Sequence, residues 1–324
     1  MPIDNSQVRE TILKVLPDVE CVIGWGPGAD PLRAAPLFMK TPEDVEKFSV
    51  GPLAVNNLAV FLNEYKGHKV GIVVKGCDSR SVVQLLAENL IAREDVVIIG
   101  YPCEGVVDVA KIAGALGLKN EELENGLVTE CAVDGDSVKV TARGQSVELA
   151  LKDVMAAKCG ICRYPNAVIS DEFVGEKRAG LEDTYADVDK FLAMSEEERF
   201  RFWEKEMERC IRCYACRNAC PLCVCKDHCV ATSRDPHWLS QADGTRDKLF
   251  FQLIHATHLA GRCTGCGECQ RACPVNIPVG LFKRFMNRAS ENLFAFQGGV
   301  DAEATLPLQT FTMEEPTIKE RDWK

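Results

Sequence analysis

The sequence predicts two domains of different class: an α/β N-terminal domain with a parallel sheet and a small β meander, then a helical domain organised by cysteines. Three observations carry this. Short runs rich in β-branched residues, Val70–Val74 and Val96–Ile99, alternate with helical stretches in the first half. Beyond about residue 180 the chain becomes helical and charged. Residues 210–274 then repeat one cysteine spacing twice. A chain of 324 residues has room for two such cores.

In order, 6–16 reads as a helix and 20–23 as a short strand ending in the loop Gly24-Trp25-Gly26-Pro27-Gly28. An amphipathic helix is expected over 53–65. The strands 70–74 and 96–99, separated by a helical stretch over 79–91, form a βαβ unit with buried parallel strands. A further helix over 106–116 precedes the meander: 127–131, the Asp134-Gly135-Asp136 turn, 137–141 and 146–149. Ser195 followed by Glu196, Glu197 and Glu198 is a capping box, and its helix should run to Glu208 and deliver Cys210. Helices are expected over 246–259 and 278–296. The domains are therefore 1–180, a helical linker 181–209, a cysteine-bearing domain 210–296, and an irregular tail 297–324 suited to wrapping a partner.

The two runs are C-x-x-C-x-x-C-x-x-x-C-P: Cys210, Cys213, Cys216, Cys220 with Pro221, and Cys263, Cys266, Cys269, Cys273 with Pro274. Three close thiolates cap three corners of one 4Fe-4S cubane, and the fourth, displaced and turned by proline, reaches the other. The expected sets are crossed: Cys210, Cys213, Cys216 with Cys273, and Cys263, Cys266, Cys269 with Cys220. Zinc would ask for two pairs rather than a triplet plus one. The link of about forty residues between the runs, long for a bacterial ferredoxin, points to an α-helical dicluster ferredoxin domain.

The remaining composition narrows the function. Seventeen cysteines, an odd number, suit cluster ligation in a reducing cytoplasm better than disulfides. A net charge of −10 disfavours nucleic acid and leaves a protein partner or small cofactor. No apolar run reaches the roughly 20 residues of a membrane span, and the N-terminus lacks a signal-peptide pattern. No Ser-His-Asp order or Walker loop supports hydrolysis or phosphoryl transfer.

Two further cysteines fall just past strand ends, where α/β proteins place their chemistry: Cys77 after 70–74 and Cys103 after 96–99. Cys159 and Cys162 add a C-x-x-C pair. Four thiols from three loops suit a third cubane, a zinc site, or isolated buried thiols. The order of Phe48-Ser49 with its following helix, Gly71-Ile-Val-Val-Lys-Gly-Cys77-Asp78, Gly100-Tyr-Pro-Cys103, Cys159-Gly-Ile-Cys162, Ala167-Val-Ile-Ser170 and Gly175 is specific. It resembles the flavin- and cluster-containing β subunit of coenzyme F-420-reducing hydrogenases and formate dehydrogenases, over roughly residues 45 to 176. The resemblance implies that Cys77, Cys103, Cys159 and Cys162 bind a 4Fe-4S cluster beside FAD, which exchanges electrons with a deazaflavin coenzyme. That family's glycine-rich flavin-contacting segment is not matched; residues 18–40, with Gly24, Gly26 and Gly28, are a shortened candidate for it or simply a turn. The C-terminal part resembles the α-helical dicluster subunits of heterodisulfide reductases and succinate dehydrogenase-type chains, so the chain reads as a fusion of two modules.

Cys223, Cys225 and Cys229 invite a further metal, with His228 or a partner's ligand as fourth, or stay free thiols. Cys21 and Cys131 read as core. His255 and His258, at i, i+3, read as solvated. The charged run 196–209 reads as a solvent face or docking surface. The leading expectation is an oxidoreductase subunit with three 4Fe-4S clusters and FAD, working beside hydrogenase, formate dehydrogenase or heterodisulfide reductase-like subunits. The alternatives are a flavin-free adaptor between two enzymes and a zinc-stabilised scaffold.

Overall fold

The computed structural model describes residues 3–119, 122, 126–226, 228–232, 240, 242–311 and 313. Its N-terminal domain is built on a five-stranded sheet in the order β2-β1-β3-β4-β8, with β1 Val22–Gly26, β2 Ala35–Met39, β3 Val70–Val74, β4 Val96–Gly100 and β8 Glu172–Phe173. Strands β1, β3, β4 and β8 run parallel, while β2 is antiparallel to β1 from Val22↔Met39 to Gly26↔Ala35. The sheet is thus mixed, not purely parallel as expected. Pro36 hid β2 from the sequence reading, since proline removes a ladder donor; an edge position tolerates that loss. Pairing with β2 also carries β1 on through Gly24 and Gly26, where the sequence predicts a loop.

The meander is a separate antiparallel sheet of β5 Val128–Asp134, β6 Ser137–Ala142 and β7 Gln145–Ala150. Its inward residues Val128, Val138 and Val140 pack with Val106, Ile112 and Val154 in a second core. The main core gathers Ile23, Trp25, Phe48, Ile72, Val74, Leu85, Ile98 and Ile99.

Two helices are shorter than expected, each for a backbone reason. Over 53–65 only a 3-10 helix, Leu58–Tyr65, forms. The Lys75 ammonium takes the carbonyls of Ala54 and Asn56 at 2.9 Å each, acceptors that a helix would have used internally. Over 106–116 the helix starts only at Val109, capped by the Asp108 carboxylate, because Val106 accepts from the Ala156 amide and Val107 bridges to Met155.

Towards the C-terminus, helices Glu196–Glu208, Thr245–Thr257 and Gly280–Phe294 pack together. The Ser195 capping box forms as expected. Trp203 and Met207 are the buried face of that charged helix, and the Trp203 ring stacks on Phe282 with centroids 3.7 Å apart. Within 181–209 lies also the helix Ala186–Leu192, tied down by Arg284 against Asp183 and Asp187. Of the tail, 312 and 314–324 lie outside the described residues, and 297–311 hold one short 3-10 helix, Pro307–Gln309. Among the described residues no helix is long and apolar enough to cross a membrane.

The two halves meet along helix Gly76–Ala87. Ser81 shares a 3.2 Å hydrogen bond with Thr264, Gln84 accepts from the Gly299 amide at 2.8 Å, and just past the helix Glu88 accepts from Arg262 at 2.7 Å. Leu222 and Leu259 complete the seam by joining the N-terminal core.

Candidate metal centres

The N-terminal cysteines converge because their strands do. Strands β3 and β4 pair in register to their ends, Val74↔Gly100, so the loops bearing Cys77 and Cys103 leave the same edge side by side. The segment 156–166 then closes over them. The Cys103 amide donates to the Pro165 carbonyl at 2.8 Å, and the Tyr164 carbonyl comes so close to Gly76 that a Cβ there would stand 1.8 Å from it. Glycine at 76 is therefore a condition of this closure. Burial raises the Cys77 thiol well above its usual range, and Asp78 and Cys103 add to that. Cys103 is pushed up to about 12, by burial first and with Cys159 contributing, while Cys162 feels burial and then Cys159. The four are one electrostatic group.

In the C-terminal half each run makes the same turn. Arg212 and Gly265, two residues past the first cysteine, and Tyr214 and Gly267, four past it, all take positive φ. Short helices Ala215–Asn218 and Glu268–Arg271 follow. Each fourth cysteine lies within electrostatic reach of the opposite run. Cys210 and Cys216 feel Cys273; Cys263, Cys266 and Cys269 all feel Cys220, and Cys266 is pushed up to about 12 by burial first and then by that thiol.

Backbone amides are aimed at the sulfurs, which tests the fit to a sulfur-bound inorganic group. Arg212 N–H donates to Cys210 Sγ, Gly265 N–H to Cys263 Sγ, Gly105 N–H to Cys103 Sγ and Val106 N–H to Cys159 Sγ, each at 3.4 Å; Ile277 N–H reaches Cys273 Sγ at 3.3 Å. Such donors favour thiolate over thiol and tune a bound cluster. Among the described residues no three His, Cys, Asp or Glu side chains converge on a point for a single ion. A cubane, larger than an ion, needs its thiols spread around it.

A cavity of about 1460 Å³ joins the two nearer groups, lined by Cys77, Cys103, Cys159 and Cys162 on one side and by Cys220, Cys263, Cys266 and Cys269 on the other. Lys and Arg in its wall outnumber Asp and Glu about two to one, in a chain whose net charge is −10. Gly24, Gly26 and Gly28 do not line it. They serve packing: a Cβ at Gly24 would stand 2.8 Å from Phe48, one at Gly26 3.0 Å from Leu37, and one at Gly28 2.0 Å from the Arg33 carbonyl.

Cys223, Cys225 and Cys229 diverge. Cys223 turns to Cys220 and lies 3.4 Å from His255 Nε2; Cys225 is exposed, and so is His228. Cys229 falls below its ordinary range, because the Thr232 hydroxyl, the Ala231 amide and Arg217 outweigh burial. Contrary to the sequence expectation, His255 is buried, at 3 % exposure; burial first, then Lys283 and Arg217, lowers it to about 3. Cys21 is buried as expected and Cys131 half-buried against the second core.

Sequence alone does not reveal the cations set among the thiols, of which Lys75 and Lys283 are buried and Lys158 half-buried. Lys75 lies over the Trp25 ring at 4.0 Å and pairs with buried Asp78 at 3.0 Å. Lys158 donates to the Cys266 carbonyl across the domain seam. Lys283 is 3 % exposed. Lys158 had one visible signal, its place beside Cys159; Lys283 had none, being one lysine in an otherwise ordinary helix.

Residues 206–277 match the 4Fe-4S dicluster domain. The match supports 4Fe-4S clusters on the C-terminal cysteines. Over its length the chain is similar to F420-dependent formate dehydrogenase subunit beta of Methanocaldococcus jannaschii, 24 % identical over 338 residues, 87 % of this chain and 88 % of that one. It is similar too to F420-dependent formate dehydrogenase 1 subunit beta of Methanococcus maripaludis, 25 % identical over 345 residues, 88 % of each. Among solved structures, a chain of the F420-reducing NiFe hydrogenase complex from Methanosarcina barkeri aligns with TM-score 0.36 and 20 % identity, over 48 % of this chain and 58 % of that one. The β-subunit resemblance read from residues 45–176 thus agrees with relatives that align along most of the chain.

Proposed function

We propose that this chain is an iron–sulfur electron-transfer subunit of a multisubunit oxidoreductase of the formate dehydrogenase or hydrogenase kind. The observation that carries the reading is the cavity at the domain seam, which Cys77, Cys103, Cys159 and Cys162 line together with Cys220, Cys263, Cys266 and Cys269 of the dicluster match. We assign a first C-terminal 4Fe-4S cluster to Cys210, Cys213, Cys216 and Cys273, a second to Cys220, Cys263, Cys266 and Cys269, and an N-terminal one to Cys77, Cys103, Cys159 and Cys162. Bound clusters would supply one-electron steps. The protein's own part is to aim amides at sulfurs, to exclude water by burial, and to fix the order of the sites through the seam.

The cavity's size and cationic wall support an anionic organic cofactor there, and FAD is our assignment; it would convert one-electron into two-electron transfer. At the far end Cys213 is exposed, with Ile211 beside it at 62 % exposure, which favours that end as the face toward a redox partner subunit. The packed state of Gly24, Gly26 and Gly28 favours a second reading, a flavin-free adaptor. Iron and acid-labile sulfide in anaerobically purified protein test the first assignment: about 12 of each per chain are expected, and about 8 would leave only the C-terminal pair. An oxidised flavin absorbance that bleaches on reduction decides between the two readings.

A further inference from the structure

Two lysines stand among the quartets, Lys283 buried and Lys158 half-buried with its side chain 21 % exposed. Lys283, on helix Gly280–Phe294, is 3 % exposed, and its Nζ has no hydrogen-bond partner among the described residues. A dry, unpaired ammonium is an expensive arrangement unless negative charge lies near it. The groups around it are thiols of two quartets. It lines one cavity together with Cys220, Cys263 and Cys269 of the second quartet and Cys273 of the first. Lys158 is the cation at the seam, half-buried and paired. Its Nζ donates to the Cys266 carbonyl and stands 4.0 Å from buried Glu268, and its stem lies over Gly267, where a Cβ would come 2.8 Å from Lys158 Cδ.

We propose that Lys283 and Lys158 are the fixed counter-charges of the electron path, Lys283 set between the first and second C-terminal quartets and Lys158 between the second and the N-terminal quartet. The inference rests on the three-cluster reading above. In each hop one electron leaves one centre and arrives at the next; no bond forms or breaks and no proton has to move. An ammonium standing between donor and acceptor attracts the electron before the hop and after it. It therefore makes both neighbours easier to reduce without opposing passage between them, and the low dielectric of the seam enlarges the effect. Both lysines are positioning residues: they act on centres held by other side chains.

The test is an EPR-monitored redox titration of full-length, anaerobically purified protein, with iron and sulfide counted alongside. Lys283→Met keeps the stem and removes the charge. At a fixed ambient potential it should lower the reduced-to-oxidised ratio of both C-terminal centres about tenfold, 59 mV for a one-electron couple, and leave the N-terminal centre unmoved. Lys283→Arg should restore the ratio. Lys158→Met should act on the N-terminal and second centres and spare the first. Unchanged midpoints in variants with full iron, or an equal shift of all three centres in both, overturn the inference. Should Lys283→Met fail to assemble, the Lys158→Met pattern decides in the same way. A wild-type protein without iron and sulfide would instead remove the cluster reading, and this inference with it.

Discussion

The two C-terminal cysteine runs share one turn and differ in what fills it. In the second run both positive-φ positions are glycine, Gly265 and Gly267; in the first they are Arg212 and Tyr214, at φ 50° and 60°. Left-handed backbone costs a side-chain-bearing residue about 1–2 kcal/mol. The first run offsets that with contacts outward: Arg212 donates to the Ala242 carbonyl, and the Tyr214 ring meets Phe251 edge-on at 5.2 Å. The second run faces the seam, where Gly267 lies under Lys158. One run is shaped by its own domain and the other by the neighbouring domain. The four N-terminal cysteines come from three segments of one domain, gathered by the register of β3 and β4.

The largest break in this comparison is to remove a ligand on either side. Cys103→Ala should lose about four of the expected twelve irons and leave both C-terminal centres reducible, whereas Cys220→Ala should strip the second centre and spare the first. Site-resolved spectroscopy after each substitution checks this, and damage to the first centre by Cys220→Ala would sink the crossed assignment. Next in size is Gly76→Ala. A Cβ 1.8 Å from the Tyr164 carbonyl must push the closing segment away, costing about 3 kcal/mol and loosening the N-terminal quartet first. Denaturant midpoints paired with iron release would show it.

A smaller effect sharpens the contrast between the runs. Gly267→Ala should cost about 2 kcal/mol, from left-handed strain plus the Lys158 contact, and Gly265→Ala, with only the Asn287 amide near at 3.8 Å, about 1 kcal/mol. Equal costs would mean that the seam does not shape the second run. The smallest concerns the linker. Burial alone would raise the Asp183 carboxyl, but Arg284, the Tyr185 amide and Arg163 outweigh it and hold it below the usual range. A depressed carboxylate stabilises the fold above its unfolded-state pKa, near 4, and the contribution fades as pH falls through the lower native value. Arg284→Gln should flatten the acid limb of stability against pH.

Much of this was legible in the sequence, for reasons visible in particular residues. The capping box at Ser195, the buried strands 70–74 and 96–99 and the three strands of the meander follow from local chemistry. The cysteine runs announce a dicluster domain because their ligands are close in sequence. What was not legible depends on partners far along the chain. Strand β2 needs β1 to reveal it, the late helix start at Leu58 needs the Lys75 ammonium, and the burial of His255 needs Cys223 beside it. Lys283 carries no local mark, since its meaning lies in thiols tens of residues away.

Helix Gly76–Ala87 has a mechanical consequence. Its first turn holds Cys77, and the positions that follow, Ser81, Gln84 and Glu88, grip the other domain. A helix rises 1.5 Å per residue, so Cys77 to Glu88 is a stiff strut of about 16 Å. The spacing between the chain's two halves is set by that strut rather than by a docking equilibrium between separate proteins. On the proposed three-cluster reading, transfer across the seam is independent of protein concentration, and dilution slows traffic only at the outer ends.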